Sequence, residues 1–309
     1  MKMKISIIGA GHVGATVAQL LAIDGFADVV LLDIAEGVAK GKALDIMSAC
    51  PLWNSSAKVV GTSDYVQINS SDIVVITAGY PRKPGMSRDD LLFKNAEIVE
   101  QSSKEIAKHS PDAIVIVVTN PMDSMTALAW KATGFNHQRI MGMGGVLDST
   151  RFRTFIAVEL GVTPEAVEAL VLGGHGDLMV PLPRLTTVRG IPITNLITKE
   201  GIDALVKRTQ NGGAEIVSLL GSGSAFYAPG ASVCQMVRSI VFNERNVLPV
   251  SCYLDGLYGA KDIYIGVPAV LTKSGIDRII ELELLDEERS ALHKSIESVR
   301  SACKKLNIF

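Results

Sequence analysis

The sequence is poor in everything that marks a membrane, metal or nucleic-acid protein. Its longest unbroken apolar run is Ala113–Val118, far short of the roughly 20 residues a bilayer span needs. The four cysteines, Cys50, Cys234, Cys252 and Cys303, form no C-x-x-C pair and no metal-ligand spacing. They read as free thiols in a reducing compartment. There is no H-E-x-x-H zinc motif and no G-x-S-x-G nucleophile turn, which argues against a hydrolase. Neither charge dominates: 30 basic residues face 32 acidic ones, for a net charge of −2. The basic excess of a nucleic-acid binder is therefore missing. Repeats and low-complexity tracts are missing too. The start, M-K-M-K-I-S-I-I-G, places only Ile5–Ile8 between its lysines and the first glycine, too short for a signal-peptide core. The expectation is a soluble cytoplasmic protein with no membrane, metal or nucleic-acid partner.

What is present is an ample apolar complement, 48% of 309 residues, enough for two ordinary domains or one large α/β unit. In the first half, β-branched runs at Ile5–Ile8, Val29–Leu32, Ile73–Ile76 and Ile114–Val118 show little polar alternation. Strands buried on both faces have that pattern. Helical patterns over 12–24, 37–49 and 89–109 separate them, and Asn120-Pro121 reads as an N-cap followed by proline at the first helical position. Repeated βα units predict α/β architecture: a Rossmann-type doubly wound parallel sheet over residues 1–145. The second half, 146–309, is expected to form an α+β substrate and catalytic domain, the change falling near M-G-M-G-G. Its helices are expected over Asp148–Leu160, Glu200–Leu220 and Ser232–Phe242, with strands at Ala169–Leu172, Thr186–Val188 and Ile263–Val267. A last helix carries the stripe Leu285, Leu292, Ile296, Val299 and Cys303, with Asp286, Glu287 and Glu288 at its positive end.

G-A-G-H-V-G places Gly9, Gly11 and Gly14 between the first strand and the first helix. The first glycine permits a tight turn, the second lets a pyrophosphate approach, and the third allows close helix–strand packing. Alone the pattern is weak. Here a strand precedes it, a helix follows, and Asp33 ends the next apolar run. A carboxylate there accepts from ribose hydroxyls and repels a 2′-phosphate, which favours NAD over NADP. G-V-A-K-G-K-A, residues 37–43, only mimics a P-loop: it is one residue short between its glycines, and Ala43 stands where a hydroxyl is needed.

Oxidising a 2-hydroxy acid requires a group that takes the hydroxyl proton, and imidazole suits it. Of the five histidines, His109, His137 and His293 lie in polar surroundings and His12 reads as solvent-facing. His175 follows an apolar run and sits among glycines in L-G-G-H-G-D. A lone histidine is more often structural, so it needs partners. Asp148 suits the orientation of an imidazolium, and Arg151, three residues on, suits a substrate carboxylate. The bland alternative for D-S-T-R is an intrahelical ion pair of little value. The loop G-Y-P-R-K-P-G-M-S-R carries Arg82 and Arg88. It is either an exposed basic turn or a lid over the carboxyl edge of the sheet, with Arg82 on a second carboxylate and Arg88 polarising the reacting carbonyl. Asn120 is placed to hold the substrate oxygen.

These strings, with V-V-L-L-D-I, V-V-T-N-P-M-D and G-V-L-D-S-T-R-F-R, resemble the lactate/malate dehydrogenase superfamily over nearly the whole chain, most closely its lactate-dehydrogenase-like malate branch. The resemblance implies an NAD-dependent dehydrogenase with His175 as proton acceptor, Asp148 as its partner and Arg151 as carboxylate anchor. It implies Arg82, Arg88 and Asn120 on the substrate, and cofactor contacts from Gly9, Ala10, Gly11, His12, Val13, Gly14, Asp33, Asn95, Val118, Thr119 and Asn120. Arg82 matches the loop position where malate enzymes carry arginine and lactate enzymes glutamine, and Ala225 fits the malate pattern. The implied substrate is malate or oxaloacetate, with lactate as the alternative, and the implied assembly is a homotetramer or, failing that, a dimer. A non-catalytic NAD-binding sensor would need only the glycines and Asp33, and the histidine–aspartate pair argues against it.

Overall fold

A computed structural model describes residues 2–80 and 87–309. In chain order the elements of the first half are β1 (Met3–Ile8), α1 (His12–Asp24), β2 (Ala27–Leu32), α2 (Glu36–Ala49), β3 (Val59–Thr62), β4 (Ile73–Ile76), α3 (Arg88–His109), β5 (Ile114–Val117), α4 (Met122–Thr133) and β6 (Ile140–Gly142). Then follow α5 (Gly145–Leu160), β7 (Val167–Glu168), β8 (Val171–Leu172), β9 (Val180–Pro181), β10 (Thr187–Val188), β11 (Ile191–Pro192), α6 (Lys199–Leu220), α7 (Tyr227–Val241), β12 (Val247–Asp255), β13 (Lys261–Thr272), β14 (Gly275–Ile279) and α8 (Asp286–Lys305). The parallel part of the main sheet has the order β3-β2-β1-β4-β5-β6, that of a doubly wound dinucleotide fold. All four residues of β4 and of β5 are buried, because helices cover both faces. That is why those strands read as unbroken apolar runs.

The second half does not stand apart from this sheet. Strands β12, β13 and β14 continue it beyond β6 as antiparallel neighbours, through the pairing of Ser251 with Gly142. The parallel strands share one apolar core with β12, β13 and α8, while Phe152, Ile156, Val167, Met179, Ile202 and Leu205 form a second cluster between α5, α6 and the short strands. Of the segment expected as a strand at Ala169–Leu172 only Val171–Leu172 is strand, as β8, and β7 just before it belongs to a different small sheet. Asn120-Pro121 is also not an N-cap and first helical residue. The bond is cis, Pro121 holds the N-cap with an extended ψ of 112°, and the helix begins at Met122.

Candidate active site

The glycine turn behaves as its spacing requires. Gly9 has φ +106°, and a Cβ there would meet the Ala78 nitrogen at 2.6 Å. Its N–H donates to the Leu32 carbonyl at 2.7 Å, which pins the turn to the end of β2. A Cβ on Gly14 would overlap the Gly9 carbonyl, whereas one on Gly11 would meet nothing within 4 Å. That open side, at the N-terminus of α1, is where a pyrophosphate fits. Asp33 directly follows β2, with Oδ2 accepting the Ala10 N–H at 2.7 Å and Oδ1 accepting the Ala35 N–H at 2.9 Å. Each oxygen keeps a lone pair for a ribose hydroxyl. The residues present therefore fit a dinucleotide.

His12 lies on the turn's surface, as expected of a solvent-facing residue, but its ring also stacks on Phe226, centroids 5.0 Å apart. Val118 is half-buried and Thr119 buried, its hydroxyl donating to the Ala78 carbonyl at 2.6 Å. Asn95 is only 1% exposed. Its Oδ1 accepts the Tyr80 N–H and its Nδ2 donates to the Asn120 carbonyl, both at 2.7 Å. It braces the loops after β4 and β5, with its amide already engaged by protein. Asn120 itself is exposed at the end of the β5 loop.

The chemical group assembles around α5. His175, following β8, places Nδ1 2.8 Å from Asp148 Oδ2. A carboxylate only accepts, so Nδ1 carries the proton, and in the neutral ring Nε2 presents a free lone pair. One turn on, Arg151 sets a terminal nitrogen 3.5 Å from Asp148 Oδ1. This is no exposed intrahelical pair, since the Arg151 side chain is 11% exposed and that of Asp148 2%. Burial works against a charged His175, yet the adjoining Asp148 carboxylate outweighs it, and the imidazole pKa ends above its ordinary 6.5. Burial lowers the Arg151 pKa, with Asp148 opposing. Arg151 Nε and Asp148 Oδ1 are buried without a hydrogen-bond partner among the described residues. A largely buried guanidinium with a donor unmet is suited to an incoming carboxylate. α6 makes room for it with Gly212 and Gly213: a Cβ on Gly212 would lie 3.3 Å from Arg151 Cδ.

Arg82 lies outside the described residues. Arg88 opens α3, whose start is set by a capping box between Ser87 and Asp90. Sequence reasoning gave no role to Asp123, although it stands in V-V-T-N-P-M-D. The structure sets its carboxylate against the His175 backbone, 2.8 Å from the N–H. Among the described residues, no group of three or more metal-ligating side chains is placed to hold an ion, and no helix is long and apolar enough to cross a membrane.

A Rossmann sheet with a dinucleotide turn at its carboxyl edge, and a carboxylate-held imidazole in the half that follows, defines a class of oxidoreductases, the NAD-dependent dehydrogenases of hydroxy acids. Within that class the chain belongs to the lactate/malate dehydrogenase family. The family's NAD-binding domain matches residues 3–142 and its alpha/beta C-terminal domain residues 145–309. The malate dehydrogenase of Synechocystis is 55% identical over 297 residues, which cover 96% of this chain and 92% of the relative. Among solved structures, Cryptosporidium parvum malate dehydrogenase superposes with a TM-score of 0.97 at 43% identity, covering 100% of both chains. The lactate dehydrogenase of that organism, complexed with lactic acid and NAD, superposes at 0.96 with 42% identity, covering 99% of this chain and 98% of the other. Backbone likeness thus fails to separate the two substrates.

Proposed function

We propose that this protein interconverts malate and oxaloacetate, with NAD as cofactor and His175 as acid and base. The observation that carries this reading is the buried Asp148–His175–Arg151 triangle, with its free Nε2 and unmet Arg151 donor. In the oxidative direction, Nε2 takes the C2 hydroxyl proton while Asp148 steadies the imidazolium. Arg151 holds the carboxylate beside the reacting carbon. Arg82 pairs with the far carboxylate, Asn120 holds the hydroxyl oxygen, and Arg88 polarises the carbonyl in the reverse direction. The turn around Gly9, Ala10, Gly11, His12, Val13 and Gly14, with Asp33, Val118 and Thr119, holds the dinucleotide. A nicotinamide bound there supplies the acceptor for the C2 hydride.

Malate is preferred to lactate because pyruvate would leave Arg82 unpaired in a closed site. The malate dehydrogenases among the relatives support the same choice. The test follows NADH absorbance with oxaloacetate and with pyruvate, in the wild type and in Arg82→Gln. Loss of oxaloacetate preference in the variant is expected, and retention of wild-type preference refutes the specificity account. Undiminished turnover in His175→Asn refutes the acid/base role. We also infer a cytoplasmic homo-oligomer, a tetramer before a dimer, which sedimentation would decide.

A further inference from the structure

The loop that carries His175 is tied down amide by amide. Gly173 N–H donates to the Gly266 carbonyl of β13 at 2.9 Å. Gly174 N–H donates to Ser295 Oγ of α8 at 2.8 Å, and His175 N–H to Asp123 Oδ2 of α4 at 2.8 Å. Three consecutive amides thus report to three elements, and the ring to a fourth through Asp148. Asp123 is 4% exposed. Its second oxygen accepts from Ser251 Oγ of β12 at 2.7 Å, so the carboxyl cannot rotate freely. Around it the packing is close: a Cβ on Gly174 would lie 3.3 Å from Asp123 Oδ2 and 2.9 Å from a Val299 methyl carbon.

A buried carboxyl is a poor stabiliser, because desolvation offsets what its hydrogen bonds return. Burial raises the Asp123 pKa, with the bonds from Ser251 and His175 opposing. An apolar residue would serve packing better, which points to a geometric role. The place of Asp123 supplies one. It is the second residue of α4, directly after the Asn120-Pro121 segment, so the residue expected on the substrate oxygen and the clamp on the His175 backbone share one turn of chain.

We propose that Asp123, itself held by Ser251, is the positioning residue that sets His175 against the dinucleotide half of the site. The inference rests on the acid/base reading of His175 given above. Asp123→Ala is expected to lower kcat about tenfold or more, since ångström-scale misplacement of a proton acceptor costs on that order. The KM for oxaloacetate and the Kd for NADH should stay within about threefold, because Arg151 and the glycine turn are untouched. Asp123→Asn should restore kcat to within about threefold of wild type, its amide oxygen accepting from His175 N–H and its NH2 donating to Ser251. Wild-type kcat in Asp123→Ala overturns the proposal, as does an Asp123→Asn enzyme that folds but is as slow as the alanine variant. Should Asp123→Ala not fold, Ser251→Ala decides: a fall in kcat of about three- to tenfold at unchanged KM supports the clamp, and wild-type kcat overturns it. His175→Asn, assayed alongside, separates the two ideas. If it is inactive while Asp123→Ala is fully active, only the positioning role fails; if it is active, the acid/base reading itself fails.

Discussion

Replacing Asp148 with asparagine removes the charge that favours a protonated His175 without removing volume. The Nδ1–Oδ2 contact is 2.8 Å, which puts the charge centres about 4 Å apart. At an effective dielectric near 20 the attraction is about 4 kcal/mol. In the wild type burial opposes that attraction, and the net result is a raised His175 pKa. In the variant, burial and the Arg151 charge are opposed only by the Asp123 carboxylate, so the ring's midpoint should fall. Oxaloacetate reduction needs the imidazolium, so its alkaline limb should move to lower pH. Malate oxidation needs the neutral ring with a free Nε2. An asparagine NH2 donating to Nδ1 would put the proton on Nε2 instead and cut malate turnover by about 10²–10⁴-fold. The stability sign follows from the same shift: a raised folded-state pKa stabilises fully below 6.5 and loses its effect as pH rises through the raised value. The Tm gap between wild type and variant should therefore narrow at alkaline pH. Paired pH–kcat/KM profiles in both directions are the assay, and a reduction limb at the same pH in both proteins would refute the reasoning.

Arg151→Lys loses the Nε donor and the planar fork, and kcat/KM for oxaloacetate should fall by about 2–5 kcal/mol equivalent; steady-state kinetics at wild-type level would contradict the anchor. Gly212→Ala should move stability and affinity in opposite directions. Helix α6 gains up to about 1 kcal/mol and Tm rises, while the new Cβ, 3.3 Å from Arg151 Cδ, shifts the guanidinium and raises KM about three- to tenfold; calorimetry with kinetics checks both. All four cysteines are buried and free, and burial pushes Cys234 and Cys303 up to about 12. A thiol reagent at pH 8 should label them only after unfolding in guanidinium.

Strands β1, β2, β4 and β5 and the turn at Gly9 were legible because each is written in contiguous residues, whereas the short β3 and β6 were not read. The helix boundaries moved by a few residues at most, except that α7 begins at Tyr227, before the expected Ser232, and the last expected strand is only the middle of β13. Strands β12 and β14 were not read, because Pro249, Ser251 and the charged Asp277 and Arg278 break the apolar pattern that marked β4 and β5. Burial of β12 comes from neighbours far along the chain, which no local periodicity reports. The same distance hid Asp123, whose bond to His175 spans 52 residues. Asp148 and Arg151 were legible as a pair because one helical turn separates them. What the sequence did not carry was their burial, which turns a weak surface pair into a site. Asn120-Pro121 misled because both residues are common at helix starts. There the Asn120 carbonyl goes to Asn95, and the extended Pro121 delays the helix to Met122.

The antiparallel extension at Ser251 and Gly142 bears on how this chain can be recombined with its relatives. A crossover between Gly144 and Gly145 looks natural, yet a first half excised there would present β6 as a naked edge of unpaired N–H and C=O groups, the template on which sheets aggregate. Chimaeras built across that seam have to match the incoming β12 to the recipient's β6, side chain for side chain at Gly142, where any Cβ would collide with Met122, Thr126 and Ser251. The two halves are thus heritable as a pair more readily than as cassettes.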